Sequence, residues 1–339
     1  MNWFRTHHLL LWLILIGSYC EAQYKGDHIA GTVGLESGSQ GPPGIYVGNL
    51  LWVYPTSTIK DANGNSVNQR GSLTSTLDGI VLSAVTNYKF LGANYGATVV
   101  LPFIQNRIQL NSLDSSSGFA YTDMIVTPVS LGWHLQQTDV TALYNIYIPT
   151  GKFDASGHDN SGLGMVGNEF SLGSTHYFDP MKSWNLAGTF SLEFHTDKSG
   201  TDINVGDLAT VEYGFGKKFY KKVSGPIPMV MNVGAAGYAQ FKVTGDSGSD
   251  VLPALRGFKD RVFALGPEFD LFIPKPRLSI VARYEPEFGA RVRTQGQTIV
   301  FSLAWVAKSL VKVPPQPPPQ PLNGMALHAI GATSQGISE

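Results

Sequence analysis

From Trp184 to Thr196 the chain reads WNLAGTFSLEFHT, and its hydrophobic and polar positions alternate. Trp184, Leu186, Gly188, Phe190, Leu192 and Phe194 share one parity; Asn185, Ala187, Thr189, Ser191, Glu193 and His195 share the other. Successive side chains of a strand point to opposite faces, so the pattern predicts a strand with one apolar and one polar face. The segment exceeds the roughly five or six residues of an ordinary soluble strand. It is long enough for a tilted membrane strand, which needs roughly nine to eleven. A Glu and a His on the polar face suit a wet lumen better than a dry core.

The alternation recurs along the chain. Strands are predicted at Ile45–Tyr54, Gly79–Phe90, Asn94–Ile104, Asp123–Leu135, Val140–Pro149, Asn168–Phe178, Leu208–Phe219, Met229–Val243, Val262–Ile273, Arg277–Phe288 and Gln297–Val306, besides the opening one. In Asp123–Leu135 the pattern groups Ile125 with Val129, Leu131 and Trp133 against Ser130, Gly132 and His134. Ile45–Tyr54 is apolar on both parities, and Asn168–Phe178 alternates less sharply. The connections also alternate. Leu91–Ala93, Gln136–Asp139 and Pro274–Pro276 are tight, whereas Thr56–Ser75, Asn106–Tyr121, Thr150–Gly167, Asp197–Gly206 and Thr244–Asp260 are long and polar. Short turns at one end and long loops at the other are the asymmetry of outer-membrane barrels. The expected fold is therefore all-β, a transmembrane antiparallel β-barrel of about twelve strands, within a range of ten to fourteen.

The ends of the chain differ from its middle. Arg5 followed by the apolar run Leu9–Ile16, with Cys20-Glu21-Ala22 behind it, predicts a cleaved secretory signal over residues 1–22. The apolar run is too short to span as a helix. Residues 23–44 are rich in Gly, Ser and Pro and form either a periplasmic arm or a segment folded into the lumen. The barrel is expected over 45–306. Residues 307–339 contain VPPQPPPQPL, in which Pro supplies no ladder donor, and are expected to be a disordered tail.

Composition narrows the class. Charged residues are 14% of the chain, below the roughly 25% of an average soluble protein, and 38 glycines help to fill the difference. That mixture favours strands and turns over helices, and secreted β-sandwiches share it. A net charge of −1 argues against a nucleic-acid partner. The only cysteine, Cys20, lies in the leader, so neither a disulfide nor a thiolate metal site is expected in the mature chain.

The candidate functional residues are the charges on the polar parity: Glu193, His195, Glu212, Glu268, Asp270, Arg283 and Glu285. They line a solute path, or they pair with one another as structural groups. Arg283 and Glu285, two apart on one face, are placed to bridge to Glu268 or Asp270 on the preceding strand. No catalytic residues are expected: the chain lacks G-x-S-x-G, and His134 and His195 fall on separate strands. His158 and Asp159, with Asp154 and Asn160, read as ordinary loop residues, so no metal and no cofactor is expected. Trp52, Tyr54, Phe90, Phe103, Trp133, Tyr177, Phe178, Trp184, Phe219 and Trp305 lie near strand ends and are expected to form interfacial girdles.

Several short motifs follow one another along the chain. They are Pro42-Pro43-Gly44, Asp123 with Pro128 and Gly132-Trp133, Tyr147-Ile148-Pro149-Thr150-Gly151-Lys152-Phe153, and Gly167-Asn168-Glu169. Gly237-Tyr238 with Gln240 and Asp246, Gly266-Pro267-Glu268, and Tyr284-Glu285 follow. In this order and spacing the chain resembles the outer-membrane proteins grouped under the meta-pathway of phenol degradation, distantly similar to the long-chain fatty acid transporter barrels. The resemblance covers about Gly41 to Val306; the Pro-rich tail departs from it. It implies an outer-membrane β-barrel with a role in uptake of hydrophobic compounds, and with the pattern of the chain the expected protein is a monomeric channel in the Gram-negative outer membrane for passive uptake of small hydrophobic or aromatic compounds. The partners are then membrane lipid and a hydrophobic solute. The alternative is a non-transport barrel that binds a partner through its loops or tail.

Overall fold

β-Branched and aromatic residues on one parity, with small polar residues on the other, fold into strands whose outer face is apolar and inner face polar. A computed structural model describes residues 25–311, apart from 68–70, 111–112, 158, 226, 252 and 254–255. The expected leader, most of the expected tail, and His158 lie outside the described residues. Among the described residues there is no helix.

The wall has twelve staves. They are β1 (Gly44–Thr56), β2 (Gly71–Phe90), β3 (Ala93–Leu110), β4 (Met124–His134), β5 (Thr138–Ile148) and β6 (Gly167–Tyr177), followed by β7 (Trp184–His195), β8 (Leu208–Lys221), β9 (Met229–Lys242), β10 (Arg261–Ile273), β11 (Leu278–Arg291) and β12 (Gln297–Ser309). Each pairs antiparallel with its sequence neighbours, and β1 closes the ring on β12 from Gly44↔Ser309 to Val53↔Ile299. Closure satisfies every edge, which a membrane-spanning sheet requires. The tight turns and both ends of the wall lie at one end, called here the turn end; the long connections lie at the other, the loop end.

Two expectations about extent change. β2 and β3 run to Gly71 and Leu110, beyond the predicted Gly79 and Ile104, and pair over that added length. At 20 and 18 residues they exceed a bilayer and continue as a ribbon past its surface. Ser72, Thr74, Ser75, Asn106 and Gln109 make this part polar on both faces, so lipid-driven alternation disappears although the pairing does not. Thr58–Lys60 and Arg293–Gln295 form a separate small ribbon, which leaves the last loop-end connection short.

Two expectations about faces also change. The β4–β5 ladder jumps between Val126 and Val129, because Pro128 has no N–H and sits in a bulge. Parity switches there. Ile125, grouped by sequence with Val129, instead stands opposite Tyr147, whose hydroxyl reaches inward to Glu169 at 3.0 Å. Of the expected girdle, Trp52, Tyr54 and Tyr177 point into the barrel: Tyr54 and Tyr177 are buried, and Trp52 Nε1 donates to the Ala30 carbonyl. Phe90, Phe178, Trp184, Phe219 and Trp305 are exposed and ring the turn end. Trp184 stacks there on Phe215 at 5.5 Å, as expected of an interfacial belt.

Candidate functional site

Inward side chains of a small barrel must meet water, one another, or an inserted segment. Here they meet residues 25–43. This arm starts at the loop end, where Lys25 lies over the Tyr54 ring, and descends to the turn end, where β1 begins. Its backbone has no strand partner, and buried N–H groups must be satisfied. The wall acids do this. The Asp27 and His28 amides donate to Glu193 Oε1, Gly31 N–H donates to Glu212 Oε1 at 2.6 Å, and Leu35 N–H reaches Glu268 at 3.2–3.3 Å. Hydrogen bonds to an ionised acceptor are the stronger kind, so each contact fixes the arm more firmly than a neutral one would.

Lower contacts are neutral or cationic. The Glu36 carboxylate pairs with Lys218 and accepts from the Tyr177 hydroxyl at 3.0 Å. Thr189 donates to the Ser37 carbonyl at 3.0 Å, and Gly38 N–H donates to Thr175. Gln40 Nε2 reaches Ser130 Oγ at 2.9 Å. Two glycines let the arm pass. Gly31 has φ +82° and faces Glu285 where a Cβ would collide with it; Gly38 lies against the Ser174 backbone.

Each sequence-predicted residue has a place in this arrangement. Arg283 forms a two-pronged pair with Glu268 at 2.7 and 2.9 Å, and a third nitrogen donates to the Gly31 carbonyl. Glu285 is buried with its nearer oxygen 3.9 Å from Arg283 Nε, and neither of its oxygens has a hydrogen-bond partner among the described residues. Asp270 is half-buried and outside that ion pair. Glu212 lies 3.7 Å from His28 Nε2. Glu193 and His195 meet at 2.7 Å nearer the loop end. So Glu268, Arg283 and Glu285 cluster, Glu212 joins them through the arm, and Glu193 with His195 forms a separate group. His134 pairs with Asp139 at the turn end, the opposite end from His195.

Sequence reasoning missed several partners. Glu169 binds His28 Nδ1 at 2.6 Å, and Glu287 accepts from Tyr54 at 2.6 Å and Tyr238 at 2.8 Å. Glu287 shares the parity of Arg283 and Glu285, and that signal was available. Asp27 and His28 carried none, because nothing local says which wall residue an arm will meet.

Above the arm, three loop-end connections are tied together. Asp123 accepts from Gly151 and Leu163 N–H at 2.9 and 2.6 Å, and Lys198 Nζ donates to the Leu163 carbonyl at 2.7 Å. Burial lowers the Lys198 ammonium from its ordinary 10.5 to about 8, against the pull of Asp27 and Asp123. Below pH 8 the folded loop carries the cost of a buried charge. Between pH 8 and 10.5 the folded form sheds the proton while the unfolded loop keeps it, so the loop tightens as pH rises. Proteolysis of the 150–207 region is expected to be slower at pH 9.5 than at pH 7.5, and Lys198→Met to abolish the difference. An equal pH dependence in the variant would count against this account.

Comparison with known proteins agrees with this architecture. Residues 56–303 match the family model described as "Putative MetA-pathway of phenol degradation". No curated protein matches by sequence. Among solved structures, an outer membrane channel from Pseudomonas putida F1 superposes with a TM-score of 0.66 at 12% identity, covering 80% of this chain and 98% of its own. The beta domain of the Bordetella autotransporter BrkA gives a TM-score of 0.46 at 11% identity, over 78% and 99% of the two chains. The CymD monoaromatic hydrocarbon channel gives 0.39 at 10%, over 79% and 89%.

Proposed function

The chain belongs to the family of the MetA-pathway of phenol degradation, as an outer-membrane β-barrel, and from that premise we propose that it is a channel for passive uptake of small hydrophobic or aromatic compounds. The observation that carries this reading is the nature of the lumen filling. It is an arm held mainly by hydrogen bonds and ion pairs, with only Ala30 and Leu35 packed on apolar parts of the wall, and the polar contacts exchange for water when the arm shifts. The family description, which concerns an aromatic compound, supports the solute class. So does the inward Trp52 ring beside the arm, an apolar surface stacked 5.7 Å from the buried Tyr54 ring. Glu212, Glu268 and Arg283 act in this reading through the arm: they fix its position and so the width left for a solute, while Glu285 lies against Gly31. Glu193 and His195 hold its upper end. Asp270 stands beside the path.

The test is uptake into vesicles whose outer leaflet contains lipopolysaccharide, comparing an uncharged aromatic hydrocarbon with benzoate. Faster entry of the hydrocarbon alone is expected. Entry equal to that of protein-free vesicles would leave the barrel as a scaffold whose loops bind a partner.

A further inference from the structure

We propose that Asp27, Glu193 and His195 form a binding site for a divalent transition cation of the zinc class, which pins the arm to the wall at the loop end. An oxygen of each carboxylate and a ring nitrogen of His195 lie within 4.8 Å of one another. Glu193 and His195 stand two apart on the inner face of β7, and Asp27 comes from the arm, so the three meet only when the arm is seated.

The histidine is oriented as a ligand would be. Its Nδ1 lies 3.2 Å from the Val205 carbonyl, which only accepts, and a proton placed on Nδ1 satisfies that contact. Nε2 then turns its lone pair toward Glu193 Oε1, 2.7 Å away. Two lone pairs at that distance repel unless a proton or a cation lies between them. A ring N–H bonded to a backbone carbonyl is also how metal-ligating histidines are oriented.

The carboxylates say the same independently. Asp27 Oδ2 and Glu193 Oε2 are buried without a hydrogen-bond partner, in residues only 8% and 1% exposed. Burying such atoms unpaired is costly. Among the ion pairs of the described residues, Glu193 shares one only with His195, and Asp27 shares none. The surroundings leave room for these carboxylates. A Cβ at Gly26 would meet both Glu193 oxygens at 2.7–2.8 Å, and one at Gly167 would collide with Asp27 Oδ2.

The donor set chooses the ion. An imidazole with two carboxylates suits zinc and its first-row neighbours, whereas calcium and magnesium prefer oxygen ligands alone. Because one ligand sits on the arm, binding would favour the seated arm over any displaced position. The site is independent of what the barrel conducts, and its test reads metal binding alone.

The full chain, folded in detergent and stripped with chelator, would be dialysed against zinc chloride and, separately, calcium chloride. One zinc per chain is expected, with calcium not competing. Glu193→Gln and His195→Asn should each weaken zinc binding by at least about tenfold, and both variants should still migrate as folded barrels on an unheated gel. Cobalt substituted for zinc should give visible ligand-field absorption that His195→Asn removes. Should either variant fail to fold, the cobalt spectrum of the wild-type protein, with or without a nitrogen-ligand signature, decides alone. A folded wild-type protein that takes up no zinc would overturn the proposal and leave a shared proton between His195, Glu193 and Asp27. Zinc bound equally well by both variants would overturn it too.

Discussion

Arg283→Met is expected to lower barrel stability by about 3–5 kcal/mol, the usual result of removing one partner of a buried ion pair. The side chain volume is nearly kept, so the loss is electrostatic. Arg283 holds Glu268 in a two-pronged pair, lies near Glu285, and donates to the Gly31 carbonyl. Its removal leaves two buried carboxylates and a backbone acceptor without their cation. The measurement is the urea midpoint of the folded band in an unheated gel. Arg283→Met combined with Glu268→Gln should recover part of the loss, because the second change removes one stranded charge. An unchanged midpoint for the single variant would mean that water reaches these groups and that the pair is not a structural centre.

Deleting residues 25–40 while keeping residues 1–24 is expected to convert a barrel of low conductance into one with a clear, ohmic single-channel step. The arm lies against inward groups from Glu193 at the loop end to Ser130 near the turn end, so its loss exposes that whole path to water. The wall should survive. Its ladders close without the arm, and the freed carboxylates exchange amide donors for water. Cation preference is expected, since Glu169, Glu193, Glu212, Glu268, Glu285 and Glu287 outnumber Lys218, Lys242, Arg283 and Arg293 on the exposed lining. A folded deletion variant with wild-type conductance would assign the closure to the loops instead.

The wall was readable from sequence because lipid and lumen impose opposite demands on alternate residues. All twelve staves were found, and the errors have local causes. Pro128 inserted a residue and switched faces, and the β2–β3 ribbon left the membrane, where alternation is not enforced. Trp52 and Tyr54 misled because an aromatic near a strand end suits either face when its hydroxyl or N–H finds an acceptor inside. The inner acids were readable as inward; what they bind was not. Glu212 meets Gly31 and Glu268 meets Leu35 through backbone N–H groups, which every sequence possesses and no motif announces. The cation cluster was hidden for the same reason: Glu193 and His195 were visible as a pair, but their third member lies 166 residues away on a Gly-rich arm.

The direction of the arm sets an order of assembly. The chain descends through the lumen, reverses at Pro43, and climbs back as β1, which is one half of the closing seam. The other half, β12, is the last stave to be made. Chains seldom thread through finished rings, so the arm must lie along the inner face of the growing sheet before β12 zips onto β1. The seam then encloses it. A circular permutant that opens the barrel between β6 and β7 would keep the arm joined to β1 yet move the final closure elsewhere, and its folding rate would report whether the arm serves as the template on which the ring is wound.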